Sequence, residues 1–410
     1  MKIIHTSDWH LGARLHEQER LPEQKQFLDW LLGLLRTERP DALLVSGDVF
    51  DTRTPSNEAL QSLYDFYRAV RGEKLCPAIV VTAGNHDSAA VLRAPRGVLG
   101  LIGIHVVAEP DREHPEALAI VIPGADGGPG LAIGAVPFLS DADCFNVSAL
   151  PLSAERADRI RDGFRSYFRG VFDACMAKGG GCPVVLMGHC ALQGAKFSDD
   201  RSERGRFSQV GGLDALGADF LPSADYVALG HLHLPQGVGG EEPRIVYSGS
   251  PIAMSFDEGG RGGKSVVVAE FGVRHGEPVA VRRVEVPVFR PLVTLECTPE
   301  VVRKGVSALV QKGRPAFVRI CVTQYAGELA LFWQEVDTLV KDTEVRVLEK
   351  SRPQGALPAD GGLQALRAEG TLRDLSTRDI ARRRLEAASC SPDEMARYLA
   401  MLSPIFQESL

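Results

Sequence analysis

The stretch Ala78-Ile79-Val80-Val81-Thr82-Ala83-Gly84-Asn85-His86-Asp87 decides how the rest of the chain is read. Its first half is apolar and β-branched, and its second presents an amide, an imidazole and a carboxylate directly after a glycine. Such a run reads as a buried strand that delivers polar groups to a sheet edge. Four other places repeat it. Asp8-Trp9-His10 follows Lys2-Ile3-Ile4, Gly47-Asp48 follows Leu43-Leu44-Val45, Gly188-His189 follows Val184-Val185-Leu186-Met187, and Gly230-His231-Leu232-His233 follows Tyr226-Val227-Ala228-Leu229. Five strand ends therefore carry metal-ligand chemistry.

Strand and helix alternate around these ends. A strand over Lys2 to Thr6 precedes a helix over Pro22 to Arg36, whose Phe27, Leu28, Leu31, Leu32 and Leu35 share one face. The strand Ala42 to Ser46 leads to Asp48 and Asp51, and Pro55-Ser56-Asn57-Glu58 opens a second helix. With the strand before Gly84 this is a βαβαβ start, which predicts an α/β fold whose buried sheet has helices on its faces. Beyond Asp87 the pattern predicts one short helical piece over Ala89 to Gly103, and strands at Ile104 to Val107, Leu118 to Ile122 and Leu131 to Val136. Residues 141–152 read as a loop, and Ser153 to Met176 as a long helix with arginines at 156, 159, 161, 165 and 169. The stretch Gly194 to Gly212, with Arg201, Arg204 and Arg206, is too irregular for core structure and suits a loop near the site. Both arginine groups are candidates for phosphate contact.

Further strands close a first domain over residues 1–286. Residues 287–350 repeat βαβαβ on a smaller scale and predict a second domain. Residues 351–370, rich in Pro, Gly and Ala, read as a linker. Residues 371–410 carry two predicted helices, Ser376 to Ala388 and Ser391 to Leu402.

Composition bounds the function. A chain of 410 residues exceeds one comfortable domain, and 44% hydrophobic with 24% charged residues is ordinary for a soluble globular protein. The net charge of −7 removes a global basic footprint, so any nucleic-acid contact falls to local patches. Eight cysteines lie scattered without a CxxC pair, which argues against a disulfide framework or thiolate zinc and fits a reducing cytoplasm. No stretch approaches the ~20 apolar residues of a membrane span. Residues 1–20, interrupted by Asp8 and His10, do not read as a signal peptide.

Asp8, His10, Asp48, Asn85, His189, His231 and His233 amount to three or four ligands per metal if Asp48 bridges. That suits two ions ~3.5–4 Å apart on a phosphate. Imidazole mixed with carboxylate and amide oxygen favours Mn²⁺, Fe²⁺ or Zn²⁺ over Mg²⁺. Such a pair activates water near neutral pH and stabilises phosphate charge, but the leaving alkoxide still needs a proton. His86, beside Asn85 and not needed as a ligand, is the candidate general acid. Asp51, three residues after Asp48, is expected to accept a hydrogen bond from its imidazole and fix the tautomer. Taken singly, each motif is an ordinary turn. Together they hold five of the ten histidines, each at the C-terminal end of an apolar run, where α/β sheets bind ligands.

The order Asp-x-His, Gly-Asp-x-x-Asp, Gly-Asn-His-Asp, Gly-His, Gly-His-x-His resembles the calcineurin-like metallophosphoesterases. Three stretches are similar, within them, to the SbcD family of bacterial double-strand-break repair nucleases: Lys2 to Gly12, Gly47-Asp48-Val49-Phe50-Asp51-Thr52 with Pro55-Ser56, and Gly249-Ser250-Pro251. The resemblance implies a two-sheet β sandwich flanked by helices, a small α/β capping domain and a C-terminal helical tail. It implies that Asp8, His10, Asp48 and His233 hold one Mn²⁺, that Asp48, Asn85, His189 and His231 hold the other, and that His86 is catalytic. It further implies 3′–5′ exonuclease action on duplex DNA, endonuclease action on hairpins and single strands, and an SbcC-type ATPase partner gripped by the tail. A homodimer seam is expected along Ser56 to Gly72 and Val91, Leu92, Val98, Leu99, Leu101 and Ile102. The same ligands would serve a phosphodiesterase of small phosphoesters, against which residues 287–410 argue, since a small substrate needs neither cap nor tail. A DNA-end scaffold that recruits an ATPase is a third reading, weakened by the complete ligand set.

Overall fold

The computed structural model describes residues 1–351 apart from 112, 152–153, 197–216, 241–243, 260–262 and 324–328. Arg201, Arg204, Arg206, residues 352–370 of the expected linker and the expected C-terminal helices lie outside the described residues. The first part of the chain runs β1 (Lys2–Thr6), the hairpin β2 (Arg14–Leu15) and β3 (Gln18–Glu19), α1 (Leu21–Glu38), β4 (Ala42–Ser46), α2 (Asn57–Gly72) and β5 (Ala78–Thr82). It continues through α3 (Ala89–Arg93), α4 (Arg96–Leu101), β6 (Ile104–Val107), β7 (Ala119–Pro123), β8 (Pro129–Ala135), α5 (Asp141–Val147) and α6 (Arg156–Gly179). Next come β9 (Val184–His189), β10 (Tyr226–Gly230), β11 (Gln236–Val238), β12 (Ile245–Tyr247), β13 (Ser265–Glu270) and β14 (Ala280–Glu285).

Two mixed six-stranded sheets result, in the orders β14-β13-β1-β4-β5-β6 and β11-β12-β10-β9-β8-β7. In the first, β1, β4, β5 and β6 run parallel and β13 lies antiparallel to β1. In the second, β8, β9, β10 and β12 run parallel. Because side chains alternate along a strand, each apolar run supplies two cores. From β4, Leu43 and Val45 join a core with Leu31 and Leu35 of α1 and Leu63 and Val70 of α2, while Ala42 and Leu44 point the other way. From β9, Val184 and Leu186 meet Phe168, Val171 and Cys175 of α6, while Val185 and Met187 pack with Leu44 and Val80 of the first sheet. The layers are thus helix, sheet, sheet, helix. The βαβαβ pattern predicts helices on both faces of the first sheet, whereas its second face is covered by the other sheet. Each fully buried aliphatic side chain contributes about 1.5–3 kcal/mol, so these continuous runs hold the strands in register.

Two local departures have sequence causes. Ala89 to Gly103 is broken into α3 and α4 at Pro95, which lacks the amide needed to continue a helix. Residues 141–147, expected in a loop, form α5, started by a capping box in which Ser140 and Asp143 satisfy each other's amides.

The described residues divide into two compact units. One holds Met1–Thr294, Val306–Arg319 and Asp337–Glu349, and the other Leu295–Gly305, Ile320–Val336 and the described residues from Lys350. The strands β15 (Leu292–Cys297), β16 (Ala316–Val322) and β17 (Val345–Ser351) form a three-stranded sheet in that order, with helices Pro299–Gln311 and Leu329–Val340 between them in sequence. Among the described residues no helix is long and apolar enough to cross a membrane.

Candidate metal centre

All seven candidate ligands follow parallel strands of the two sheets at their C-terminal ends. Asp8 and His10 follow β1, Asp48 follows β4, Asn85 follows β5, His189 ends β9, and His231 and His233 follow β10. The turns that aim them inward are tight. Asp8 (φ 54°), His10 (φ 46°), Asp48 (φ 50°) and His231 (φ 93°) all lie in the left-handed region, which costs a non-glycine residue about 1–3 kcal/mol. Main-chain bonds hold them there. Asp8 N donates to Gly47 O (3.0 Å), His10 N to Asp48 O (3.0 Å) and Leu11 N to Val49 O (2.9 Å). Glycines are required where loops meet: a Cβ on Gly84 would overlap Asp48, and one on Gly230 would overlap the Ser46 carbonyl.

The inner half of the centre gathers around the buried Asp48. His189 Nδ1 donates to Ser46 O (2.9 Å), which turns its Nε2 toward Asp48 Oδ2 (3.2 Å) and Asn85 Oδ1 (3.1 Å). His231 Nδ1 lies 3.0 Å from the same Asn85 oxygen. Asp48 Oδ1 accepts from His86 N (2.9 Å), which leaves Oδ2 for the centre. In the outer half, His10 Nε2 and His233 Nε2 face each other at 3.2 Å, and His10 Nε2 lies 3.7 Å from Asp48 Oδ2. The outward nitrogens of both rings meet carboxylates, His10 Nδ1 at Asp51 Oδ1 (3.2 Å) and His233 Nδ1 at Glu258 Oε1 (3.1 Å). Asp8 completes this half, its Oδ1 accepting from His231 N (2.9 Å) and its Oδ2 from Ser7 Oγ. The ligand atoms of Asp8, His10 and His233, and of Asp48, His189 and His231, lie within 4.8 Å of one another.

This arrangement fits divalent cations. With a proton on Nδ1 of each outer ring, two bare imidazole lone pairs meet at 3.2 Å, and around Asp48 ring nitrogens meet oxygens that only accept. Such groups repel unless a cation or a proton sits between them. Edges of 3.0–3.2 Å also match those of an octahedron with bonds of about 2.1–2.2 Å. Beside Asp48, a proton on His189 takes that place when no metal is bound. Burial lowers the pKa of His189, but Asp48 outweighs it and raises the pKa to about 9. Burial likewise favours a neutral Asp48, and the surrounding His189, His10 and His86 reverse this, holding it well below the carboxylate range. His231, buried and beside His189, is held well below its ordinary value.

His86 is half-buried at the edge of the centre, its ring centroid 4.9 Å from that of His10. Burial lowers its pKa, with Asp48 opposing. The sequence expects Asp51 to accept a hydrogen bond from this imidazole, and the group of Asp51 that stands there is its main-chain carbonyl. His86 Nδ1 lies 2.7 Å from the main-chain carbonyl of Asp51, and the Asp51 carboxylate stands by His10 instead. The turn after β4 carries the carbonyl to one ring and the side chain to the other.

Three buried supports go beyond the residues that sequence reasoning singles out. Asp87 accepts from Val49 N (3.1 Å), Phe50 N (2.9 Å) and Gly84 N (2.8 Å), tying the Asp48 and Asn85 loops together, and burial raises its pKa to about 6. Gln24 of α1 holds Trp9 O, His10 O and Gly12 N. Glu258 holds His233. Asp87 stands within the Gly-Asn-His-Asp motif, which is a usable signal, whereas Gln24 and Glu258 carry none. Beside the outer half lies a cleft of about 390 Å³ lined by His10, Asp51, His233, Arg14, His16 and Arg319, among others.

Comparison with known proteins agrees with this geometry. Residues 1–235 match the calcineurin-like phosphoesterase family, and residues 288–389 match a family described as type 5 capsule protein repressor C-terminal domain. The chain is 32% identical over 409 residues to the SbcD component of the nuclease SbcCD from Escherichia coli K12, covering 97% of this chain and 96% of that one. The same component from Bacillus subtilis is 35% identical over 295 residues (72% and 71% of the two chains), and that from Rhodobacter capsulatus 36% over 266 residues (63% and 64%). A chain that aligns over 97% of its length at 32% identity and carries the phosphoesterase match from its first residue belongs to the SbcD family of calcineurin-like phosphoesterases.

Proposed function

We propose that this chain is the nuclease subunit of an SbcCD-type complex, cutting duplex DNA from 3′ ends and hairpins and single strands internally, with two Mn²⁺ ions as cofactors. The reading is carried by one observation, the convergence of ring nitrogens and oxygens that only accept upon a single buried carboxylate, Asp48. Asp8, His10, Asp48 and His233 would hold one ion, and Asp48, Asn85, His189 and His231 the other. Two divalent cations so held supply the charge that polarises a phosphodiester and makes water nucleophilic near neutral pH.

The remaining chemistry belongs to the protein. His86 Nδ1–H donates a hydrogen bond to the Asp51 carbonyl and keeps its proton, so it is the Nε2 proton of the imidazolium form that passes to the departing alkoxide. Glu258 hydrogen-bonds His233 Nδ1 and holds that ring with its Nε2 inward, while the Asp51 carboxylate lies 3.2 Å from His10 Nδ1. Asp87 and Gln24 keep the loops from relaxing when charge develops. Residues 287–350 would cap the DNA groove, 351–370 would link, and 371–410 would bind the ATPase. The exposed Val98, Leu101 and Ile102 of α4 and its end support a homodimer seam there. A cytoplasmic location follows from the DNA substrate.

The test is Mn²⁺-dependent cleavage of 3′-labelled duplex and hairpin DNA by metal-stripped protein, with bis-p-nitrophenyl phosphate as a small ester and Asp48→Asn as control. We expect cutting that needs Mn²⁺ and falls at least ~10³-fold in Asp48→Asn, since the residue serves both ions. Hydrolysis of the small ester without DNA cutting, even with an SbcC-type ATPase and ATP present, would overturn the nuclease reading in favour of a small-substrate phosphodiesterase.

A further inference from the structure

His233 is the ligand that the structure surrounds most elaborately with side chains. Its Nδ1 lies 3.1 Å from Glu258 Oε1. The other oxygen of Glu258 meets two donors, Lys264 Nζ at 2.5 Å and Met254 N at 3.1 Å, while the hydroxyl of Ser250, 3.4 Å away, donates to Ile252 O at 2.9 Å. Lys264 Nζ also donates to the carbonyl of His233 itself (2.8 Å) and to Ser250 Oγ (2.8 Å). Glu258 is 6% exposed, so this is a built network and not a surface pair.

We propose that Glu258, braced by Lys264, is a positioning residue that fixes the tautomer of His233, keeping the proton on Nδ1 so that Nε2 presents its lone pair beside His10. The inference rests on the metal-centre reading above. The chemistry is asymmetric in a way that can be tested. A carboxylate has two accepting oxygens and satisfies His233 on one side and Lys264 and Met254 on the other. An amide cannot do both. Two donors, one of them charged, outcompete one imidazole for its single carbonyl oxygen. In Glu258→Gln the NH₂ therefore turns toward His233 Nδ1, which must then accept, and the proton moves to Nε2. A protonated Nε2 cannot bind a cation.

Outer partners of metal-binding histidines typically change metal affinity 10–100-fold, and the isosteric amide is expected to do so with little change in packing.

Two measurements decide it. Calorimetric titration of the full-length, metal-stripped chain with Mn²⁺ is expected to show two equivalents in wild type, and in E258Q one of them weakened by about 10–100-fold with the other retained. Equal binding of both equivalents in E258Q, or equal weakening of both, would overturn the proposal. ¹⁵N-histidine NMR of the metal-stripped wild type near pH 8, with His233 assigned through His233→Asn, is expected to show the Nδ1–H tautomer. An Nε2–H tautomer overturns the proposal even if E258Q does not fold. A wild type that takes up no Mn²⁺ would instead overturn the metal reading, while the tautomer measurement still judges this one.

Discussion

The two halves of the centre are held by different means. Around Asp48, orientation comes from the main chain: the Ser46 carbonyl fixes His189, and the His86 amide fixes Asp48. Around His10 and His233 it comes from side chains, the Asp51 and Glu258 carboxylates, next to the open cleft. A main-chain partner cannot be removed by substitution, so the inner half is vulnerable through backbone shape, at its glycines, and through Asp87, which ties its loops together. The outer half is vulnerable through single carboxylates. The cleft therefore lies beside side chains whose partners the sequence can adjust one by one.

The sharpest way to break that distinction is Gly84→Ala. An added Cβ would overlap both Oδ1 and N of Asp48, and the backbone of Asp48 is already left-handed. We expect a loss of about 2–4 kcal/mol in stability and at least ~10²-fold in DNA cutting, with both Mn²⁺ equivalents weakened because Asp48 serves both. Gly33→Ala in α1 is the control. Nothing lies within 4 Å of its added methyl, and a helical glycine replaced by alanine should gain roughly 0.5–1 kcal/mol. Urea unfolding and Mn²⁺ titration of the two variants check both expectations. If Gly84→Ala bound metal like the wild type, the inner half would not depend on close backbone approach.

How much of this was legible in the sequence depends on which atoms carry the information. The strands and their polar ends were legible because β-branched runs such as Ala78 to Thr82 stop on glycines and ligand-type side chains. What covered the second face of the first sheet was not. An all-apolar strand such as Ala42 to Ser46 is buried on both faces, and it looks the same under a helix as under a sheet. The sandwich was available only through family resemblance. Seven-residue α5 is too short for periodicity to register, and its signal, Ser140 with Asp143, is brief. At Asp51 the residue stands out but its two chemical groups are not separable, since carbonyl and carboxylate share one letter. Glu258 stands 25 residues from the ring it holds, within Asp257-Glu258-Gly259-Gly260, which reads as a turn.

Asp51→Ala separates those two groups and sharpens the contrast from the outer side. The main-chain carbonyl remains for His86, while His10 loses the carboxylate at its Nδ1. Because Asp51 is partly exposed, with 31% of its side chain accessible, water replaces part of what is lost. We expect the lower end of the usual effect, about 10-fold weaker binding of one Mn²⁺ equivalent, and only a small downward move of the His86 limb in the pH profile of cutting, since the Asp51 charge is the least of the influences on that ring. A large shift would return the carboxylate to His86 as its working partner.

A further effect lies outside both halves, in the core between the sheets. His5 of β1 is fully buried, its Nδ1 3.0 Å from the Tyr226 hydroxyl, and burial pushes its pKa down to about 3. A depressed histidine is neutral when folded but binds a proton when unfolded, so between about pH 6.5 and 3 the unfolded chain holds more protons and stability falls as pH falls. From pH 7 to 5 this amounts to about 2 kcal/mol, at about 1.36 kcal/mol per unit below roughly 6.5. His5→Leu should lack that slope. The cost of losing the Tyr226 contact enters at both pH values and cancels, as do the contributions of His86 and His231, which are also depressed. Urea unfolding of metal-stripped wild type and variant at pH 7 and pH 5 measures the difference directly. Parallel slopes would mean that the native core accepts a charged imidazole, so that the sandwich opens to water just behind the inner half, whose frame would then be softer than its backbone bonds imply.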